Sequence, residues 1–289
     1  MRELELKLEY NENWKIEYAK IKFFRKYEPF NLDTYIADET EANQLKKNKV
    51  HKLYKYCKFD ENNWNNLINY HVHLTNPSKF NDPFDSVFSI SLNTNEILDK
   101  VINVLGISTS GSYDNIKQEI KNKYDVDKVI SEVISEENDT LRNKTWVTCF
   151  SETNNSILMW SHYSDCHKGF CIEYDFSEEE ESGLFNLLSP VLYVDKLYNI
   201  AEHPFNGKSF EFCSLLKSFE WHYEKEWRLV ICNLENASQE FWRVPKPTAI
   251  YLGACIEKKN SELLMDFAKQ NNIEVYPMKL SSKDYKLIV

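Results

Sequence analysis

Arginine is scarce in this chain: Arg2, Arg25, Arg142, Arg228 and Arg243 are the only five in 289 residues. Each arginine is therefore informative, and Arg228 stands out because it sits among tryptophan, leucine and valine. Glycine (6) and proline (8) are also few, which argues against a loop-built or repeat architecture; no internal period is present. No run of about 18 apolar residues is available to span a bilayer, and no signal-peptide-like segment leads the chain, so the expectation is a cytoplasmic protein with no membrane partner. No CxxC pair occurs, and the seven cysteines, an odd number mostly set among apolar residues, read as reduced core thiols. A net charge of −10 leaves no broad basic surface for duplex nucleic acid. Glycine-rich phosphate loops of the Rossmann and Walker types are missing, as is the nucleophile elbow of the α/β-hydrolases. His162, Cys166 and His167 are close but match no zinc spacing, so no metal is expected.

What is present is a globular composition, 42% hydrophobic and 14% aromatic, long enough for a large core. Residues 1–50 are charged and punctuated by Trp14, Ile16, Tyr18, Ile21 and Phe24, which predicts a helical N-terminal extension: an amphipathic helix through Lys26, ended by Pro29, then Asp38–Lys49 as an exposed helix or linker. Residues 51–289 predict a mixed α/β main domain of the α+β class. Its centre is a mostly antiparallel sheet of roughly seven strands, and residues 94–141 form a helical insert. Strands are expected at His51–Tyr56, Val72–Thr75, Trp146–Ser151, Phe170–Phe176, Pro190–Val194, Ala249–Gly253 and Ile273–Met278. Helices are expected at Asp60–Asn69, Phe210–Lys217 and Ser261–Gln270, and from a cap at Asn154 or Asn155 through Ile157 to Tyr163.

The stretch from Phe219 to Ile231 carries the strongest pattern. Read as one strand, its period-two alternation puts Trp227, Leu229 and Ile231 on one face and Glu224, Glu226 and Arg228 on the other. That polar face is either a buried ion-pair network, with Glu226 paired to Arg228 or Lys55, or a site. Asn81 and Asp82, held between Phe80 and Phe84 and followed by Pro83, form either an Asx-type turn or a pair presented into a pocket. Lys55, Ser151, His162 and Tyr163 are further polar groups on apolar elements. Burying such groups is costly unless they pair or act, so the set taken together points to a pocket.

Five motifs then carry a resemblance. The succession FNDPFD, CFS, LMWSHYSDCHKGFCIEYD, PVLYV and YEKEWRL over about 51–255 resembles a bacterial domain family of unknown function, whose members share FNDPFE, MWSHYA…HKGFCIEFD and EKEWR motifs. Asp85 stands where Glu is usual and Ser164 where Ala is usual. A looser resemblance is to the ADP-ribosyltransferase fold. It has a leading strand with a charged residue, a central strand ending in Ser and followed by a Tyr-bearing helix, and a late strand carrying Glu. That resemblance implies NAD or another nucleotide as the bound cofactor, a macromolecule, a partner protein or NAD itself as possible target, and a toxin or phage-defence role. On that pattern Ser151 and Tyr163 would shape the nicotinamide pocket, and Glu226 would hydrogen-bond the ribose 2′-hydroxyl and stabilise the oxocarbenium-like transition state. Together with the polar set above, this makes Glu226, Glu224, Tyr163 and His162 the expected catalytic residues, and Lys55, Tyr56, Asn81, Asp82, Ser151, Trp160 and Arg228 the expected cofactor-binding residues. Lys55 stands where that fold usually has His or Arg. Arg228 would hold the NAD pyrophosphate or fix Glu226. Two other readings remain open: a metal-dependent phosphodiesterase or nuclease using Asp82, Glu224, Glu226 and His162, and a non-catalytic ligand-binding module.

Overall fold

The computed structural model describes residues 10–24, 32–47, 49, 51–90, 95, 96, 98, 99, 113–177, 183–200, 208–232 and 240–289. Pro29, the acidic run 178–181, and Ile97, Val101, Val104, Leu105, Gly106 and Gly111 of the insert lie outside the described residues. The fold is α+β, built on one seven-stranded sheet. Its strands are β1 (Lys52–Cys57), β2 (Thr145–Ser151), β3 (Phe170–Asp175), β4 (Leu188–Pro190), β5 (Glu226–Cys232), β6 (Ala249–Leu252) and β7 (Glu274–Pro277). They lie in the order β7-β6-β3-β1-β2-β5-β4, and every neighbouring pair is antiparallel except β6 with β7.

The alternation within each strand assigns the faces. One face gathers Leu53, Phe150, Ile172, Tyr174, Trp227, Leu229 and Ile250 under the helices Glu61–Ile68 and Lys258–Gln270, which contribute Leu67, Leu264 and Ala268. The other face carries two clusters. Val147 and Val230 pack with Tyr18, Ile21, Phe23 and Phe212, while Tyr56, Cys171 and Tyr251 pack with Met159 and Trp160. The N-terminal helix Asn13–Ala19 thus contributes to a core, and the helix Leu32–Lys46 buries Asp38, Ala42 and Lys46 at four-residue spacing. Within the expected insert, Tyr113–Lys123 and Val126–Lys144 are helices.

The sheet is forked. β1 pairs with β3 over six residues and β2 with β5 over seven, but β1 and β2 share only the pair Tyr54↔Ser151. At Val147, β2 exchanges both backbone hydrogen bonds with Thr75 instead, N to O at 3.0 and 2.8 Å. The two halves of the sheet therefore diverge around a gap between β1 and β2.

Several elements differ from expectation. Phe219–Glu224 is a 3-10 helix, not the start of a strand: Ser218 Oγ accepts from the Glu220 N–H, and Lys225 turns the chain with a left-handed φ of 44° before β5 begins. The aromatic content that suggests a strand instead serves stacking, with Tyr10, Phe219 and His222 forming a pile. The helix expected over Phe210–Lys217 stops at Cys213, and Leu216–Ser218 is a short strand parallel to Leu192–Val194. Strand β4 ends at Pro190, so Pro190–Val194 is split in two. His71–His73 is the strand expected at Val72–Thr75. The helix Ile157–Tyr163 forms as expected but is capped by Ser156, whose hydroxyl accepts from the Met159 N–H, rather than by Asn154 or Asn155.

Two glycines hold the sheet's near end together by close approach. A Cβ on Gly169 would sit 2.0 Å from the Cys57 carbonyl oxygen, and one on Gly253 would sit 2.1 Å from that of His167. The turn Asp165-Cys166-His167, all left-handed, is thereby docked onto the end of β6, with the Gly253 and Cys255 N–H groups donating to Gly169 and His167.

Candidate functional site

The fork opens a cavity of about 210 Å³. Tyr54, Lys55 and Tyr56 line it from β1, and Val147, Thr148, Cys149 and Phe150 from β2; Phe80, Tyr163, Lys217, Glu224, Glu226 and Arg228 are among its other walls. Lys55 leaves β1 on the face opposite Tyr54 and Tyr56. It reaches across the gap, Nζ donating to Thr148 Oγ1 at 2.8 Å and to the Cys149 carbonyl at 3.2 Å.

Along one wall runs a chain of alternating charge. Asp85 accepts two hydrogen bonds from Arg228, at 2.7 Å from Nη1 and 2.6 Å from Nη2. Arg228 donates onward to Glu226, Nε to Oε1 at 2.8 Å and Nη2 to Oε2 at 3.1 Å. Lys217 Nζ then bridges Glu226 Oε2 at 3.0 Å and Glu224 Oε2 at 2.5 Å, and the Tyr163 hydroxyl donates to Glu224 Oε1 at 2.6 Å. All five charged members are buried, Arg228 completely.

Arg228 has no donor left for a ligand. Nη1 also donates to the Ser214 carbonyl at 2.8 Å, so all five N–H groups are engaged. Of the two roles expected for it, fixing Glu226 is the one its geometry allows. The backbone of Glu226 is anchored as well, its N–H donating to the Tyr193 hydroxyl at 2.9 Å, and Tyr193 is clasped by the side-chain amide of Asn11.

The electrostatics separate the two glutamates. Burial pushes the Glu226 carboxyl upward, but Arg228 and Lys217 outweigh it and hold the group below the usual carboxylate range. Glu224 is raised by burial and by the charge of Glu226, against the opposing pull of Lys217 and Tyr163. Burial opposes the charge of Lys217 as well, yet Glu226, Glu224 and Asp85 keep its ammonium protonated, pushed above the usual lysine value.

The expected site residues divide accordingly. Glu224, Glu226, Tyr163, Lys55, Tyr56, Asn81 and Arg228 come together around the cavity; Asp82, Ser151, Trp160 and His162 do not line it. Asp82 makes the Asx turn, accepting from the Phe84 N–H at 2.8 Å. Ser151 Oγ donates to the Glu224 carbonyl at 2.6 Å and so fixes the turn that carries Glu224. Trp160 is buried beneath Tyr56, its indole N–H donating to the Asn154 carbonyl. His162 is exposed and meets the Tyr223 hydroxyl at 3.2 Å. Two residues not expected in the site complete the chain of charge: Asp85, noted in the sequence only as standing where Glu is usual, and Lys217. Among the described residues no group of three or more His, Cys, Asp and Glu is arranged to hold a metal ion, and no helix is long and apolar enough to cross a membrane.

A forked α+β sheet with a buried acid-base chain along one side of the fork is the class of structure these observations define. Residues 159–229 match the family model described as "Protein of unknown function (DUF2971)", a span that includes Tyr163, Lys217, Glu224, Glu226 and Arg228. No curated protein and no solved structure matches the chain.

Proposed function

We propose that the protein is an ADP-ribosyltransferase-like enzyme that consumes NAD, with its chemistry centred on Glu226. The observation that carries this reading is the pair Glu224 and Glu226, two carboxylates in an aromatic-lined cleft whose protonation is driven in opposite directions. Departure of nicotinamide leaves positive charge on the ribose C1′. A carboxylate kept ionised and pre-positioned beside that atom stabilises the transition state. Glu226 suits that role, and Glu224 suits a base whose working range is lifted toward neutral pH. As an acceptor hydroxyl attacks C1′, the new C–O bond forms and its proton passes to Glu224. The C1′–N bond breaks, and its electron pair returns to the ring nitrogen of nicotinamide, which leaves neutral and needs no proton.

The cavity is smaller than the roughly 300–1,000 Å³ that encloses a drug-sized ligand. The nicotinamide riboside end would enter the fork, with the remaining phosphates outside, toward Lys55 and Asn81. The test is nicotinamide release from NAD by the full chain, with Glu226→Gln as control. Loss of at least about 100-fold in the variant is expected; no release by the wild-type chain overturns the reading. Should release occur, Glu226-dependent toxicity on expression in bacteria would support a toxin or phage-defence role.

A second reading, a non-catalytic module that binds a small ligand, is favoured by one observation: both oxygens of Glu226 and all donors of Arg228 are already engaged. It predicts ligand-dependent stabilisation with no turnover. The phosphodiesterase reading loses geometric support, because Asp82 and His162 do not line the cavity and the remaining carboxylates face Lys217 and Arg228.

A further inference from the structure

Lys217 occupies a position that neither the sequence motifs nor the family match assigns. It lies on the short strand Leu216–Ser218, seven residues before Glu224 and nine before Glu226, and its ammonium is shared between them. Asp85 Oδ2 lies 3.8 Å away on a third side, and the Trp221 ring covers Nζ at 5.0 Å. An ammonium with two carboxylate partners and an aromatic cover has little reach toward a ligand, so it acts through the groups it holds.

We propose that Lys217 is a positioning residue, whose single ammonium bridges Glu224 and Glu226 and couples the two carboxyls. The groups facing the pair come from every surrounding element. Tyr163 approaches from the helix Ile157–Tyr163, Asp85 from the FNDPFD turn, Cys149 from β2, Arg228 from β5, Tyr193 from the strand Leu192–Val194, and Tyr223 from the 3-10 turn. Of these, Tyr163 touches Glu224 alone and Arg228 touches Glu226 alone. Among the described residues only Lys217 bonds to both and so couples them directly. The catalytic consequence rests on the NAD reading above; the coupling itself does not.

The experiment follows the Glu224 carboxyl by carbon-detected NMR in the full chain without substrate, assigned by its disappearance in Glu224→Gln. In Lys217→Met, Glu224 is expected to titrate higher than in wild type by about 1–3 pH units, as loss of a neighbouring opposite charge implies. Lys217→Arg should return it most of the way. A Glu224 titration unchanged in Lys217→Met overturns the proposal. If that variant does not fold, the wild-type chain alone decides: one of the two carboxyls must titrate above the ordinary range and the other below it, and equal titration of both overturns it. Where nicotinamide release is measurable, the acid limb of kcat/KM should move with the titration. A merely structural lysine would lower activity without moving that limb. Failure of the NAD reading shows separately, as no release at any pH while the titrations still shift.

Discussion

Asp85 grips the guanidinium of Arg228 with both carboxylate oxygens, at 2.7 and 2.6 Å, joining the FNDPFD turn to the EKEWR strand across 143 residues of sequence. Two motifs that look independent along the chain are therefore one structural unit. Their joint effect is to place Glu226 at the fork between β1 and β2 with its charge fixed.

Removing Asp85 would leave that guanidinium buried with two of its five N–H groups unpaired. Asp85→Ala is expected to destabilise the fold by about 3–5 kcal/mol, because an uncompensated buried charge costs more than the lost contact. Asp85→Glu, which keeps the carboxylate, should recover most of it. Urea denaturation midpoints check both, and near-wild-type stability of Asp85→Ala would refute the network's structural importance.

Stability should also depend on pH through Glu226. In the unfolded chain this carboxyl titrates near its ordinary value of about 4.3; in the fold it lies lower, because Arg228 and Lys217 outweigh the upward push of burial. The ionised form thus favours folding. Its contribution is full above the ordinary carboxylate value and is lost as pH falls toward the lowered one. Glu226→Gln should flatten the acid limb of the stability profile below about pH 4.3. Parallel acid limbs in the two proteins would contradict the assignment.

The Tyr163 hydroxyl donates to Glu224 Oε1, so Tyr163→Phe removes one of the two groups opposing the rise of that carboxyl. Glu224 is expected to titrate higher still, and nicotinamide release at neutral pH to fall by roughly 10-fold, toward the lower part of the range for general acid–base catalysis. The loss should shrink at alkaline pH. An equal loss at every pH would place Tyr163 outside this proton equilibrium.

Close packing at the glycines gives a test unconnected with charge. Gly253→Ala drives a Cβ to 2.1 Å from the His167 carbonyl oxygen, which is backbone and cannot swing aside. A destabilisation of about 1–3 kcal/mol or more is expected, as for other overpacked sites. Thermal denaturation of the variant reads it directly, and an unchanged midpoint would show that the turn is not held against β6.

The sequence made some of this legible and hid the rest for physical reasons. Period-two alternation separates Trp227 and Leu229 from Glu226 and Arg228, and that pattern survives in β5, whose apolar face packs into the core while the buried polar face is met by Asp85 and Lys217. The helix Ile157–Tyr163 is equally local and ends where expected, although Ser156 caps its start. Glu224 reaches the same wall by a different route, a 3-10 turn and a left-handed lysine, which no periodicity announces. Lys217 escapes notice because its strand is made by parallel pairing with residues 192–194, a contact distant in sequence. That Ser151 braces a turn and Asp82 its own backbone, instead of facing the cavity, follows from hydrogen bonds visible only once the elements are in place.

The most direct measurement is the release of nicotinamide from NAD by the wild-type chain and by Glu226→Gln, with both proteins shown to be folded. Turnover by the wild type and its fall by at least about 100-fold in the variant is the predicted result. No release by the folded wild-type chain, or equal release by both, would contradict the role given to Glu226.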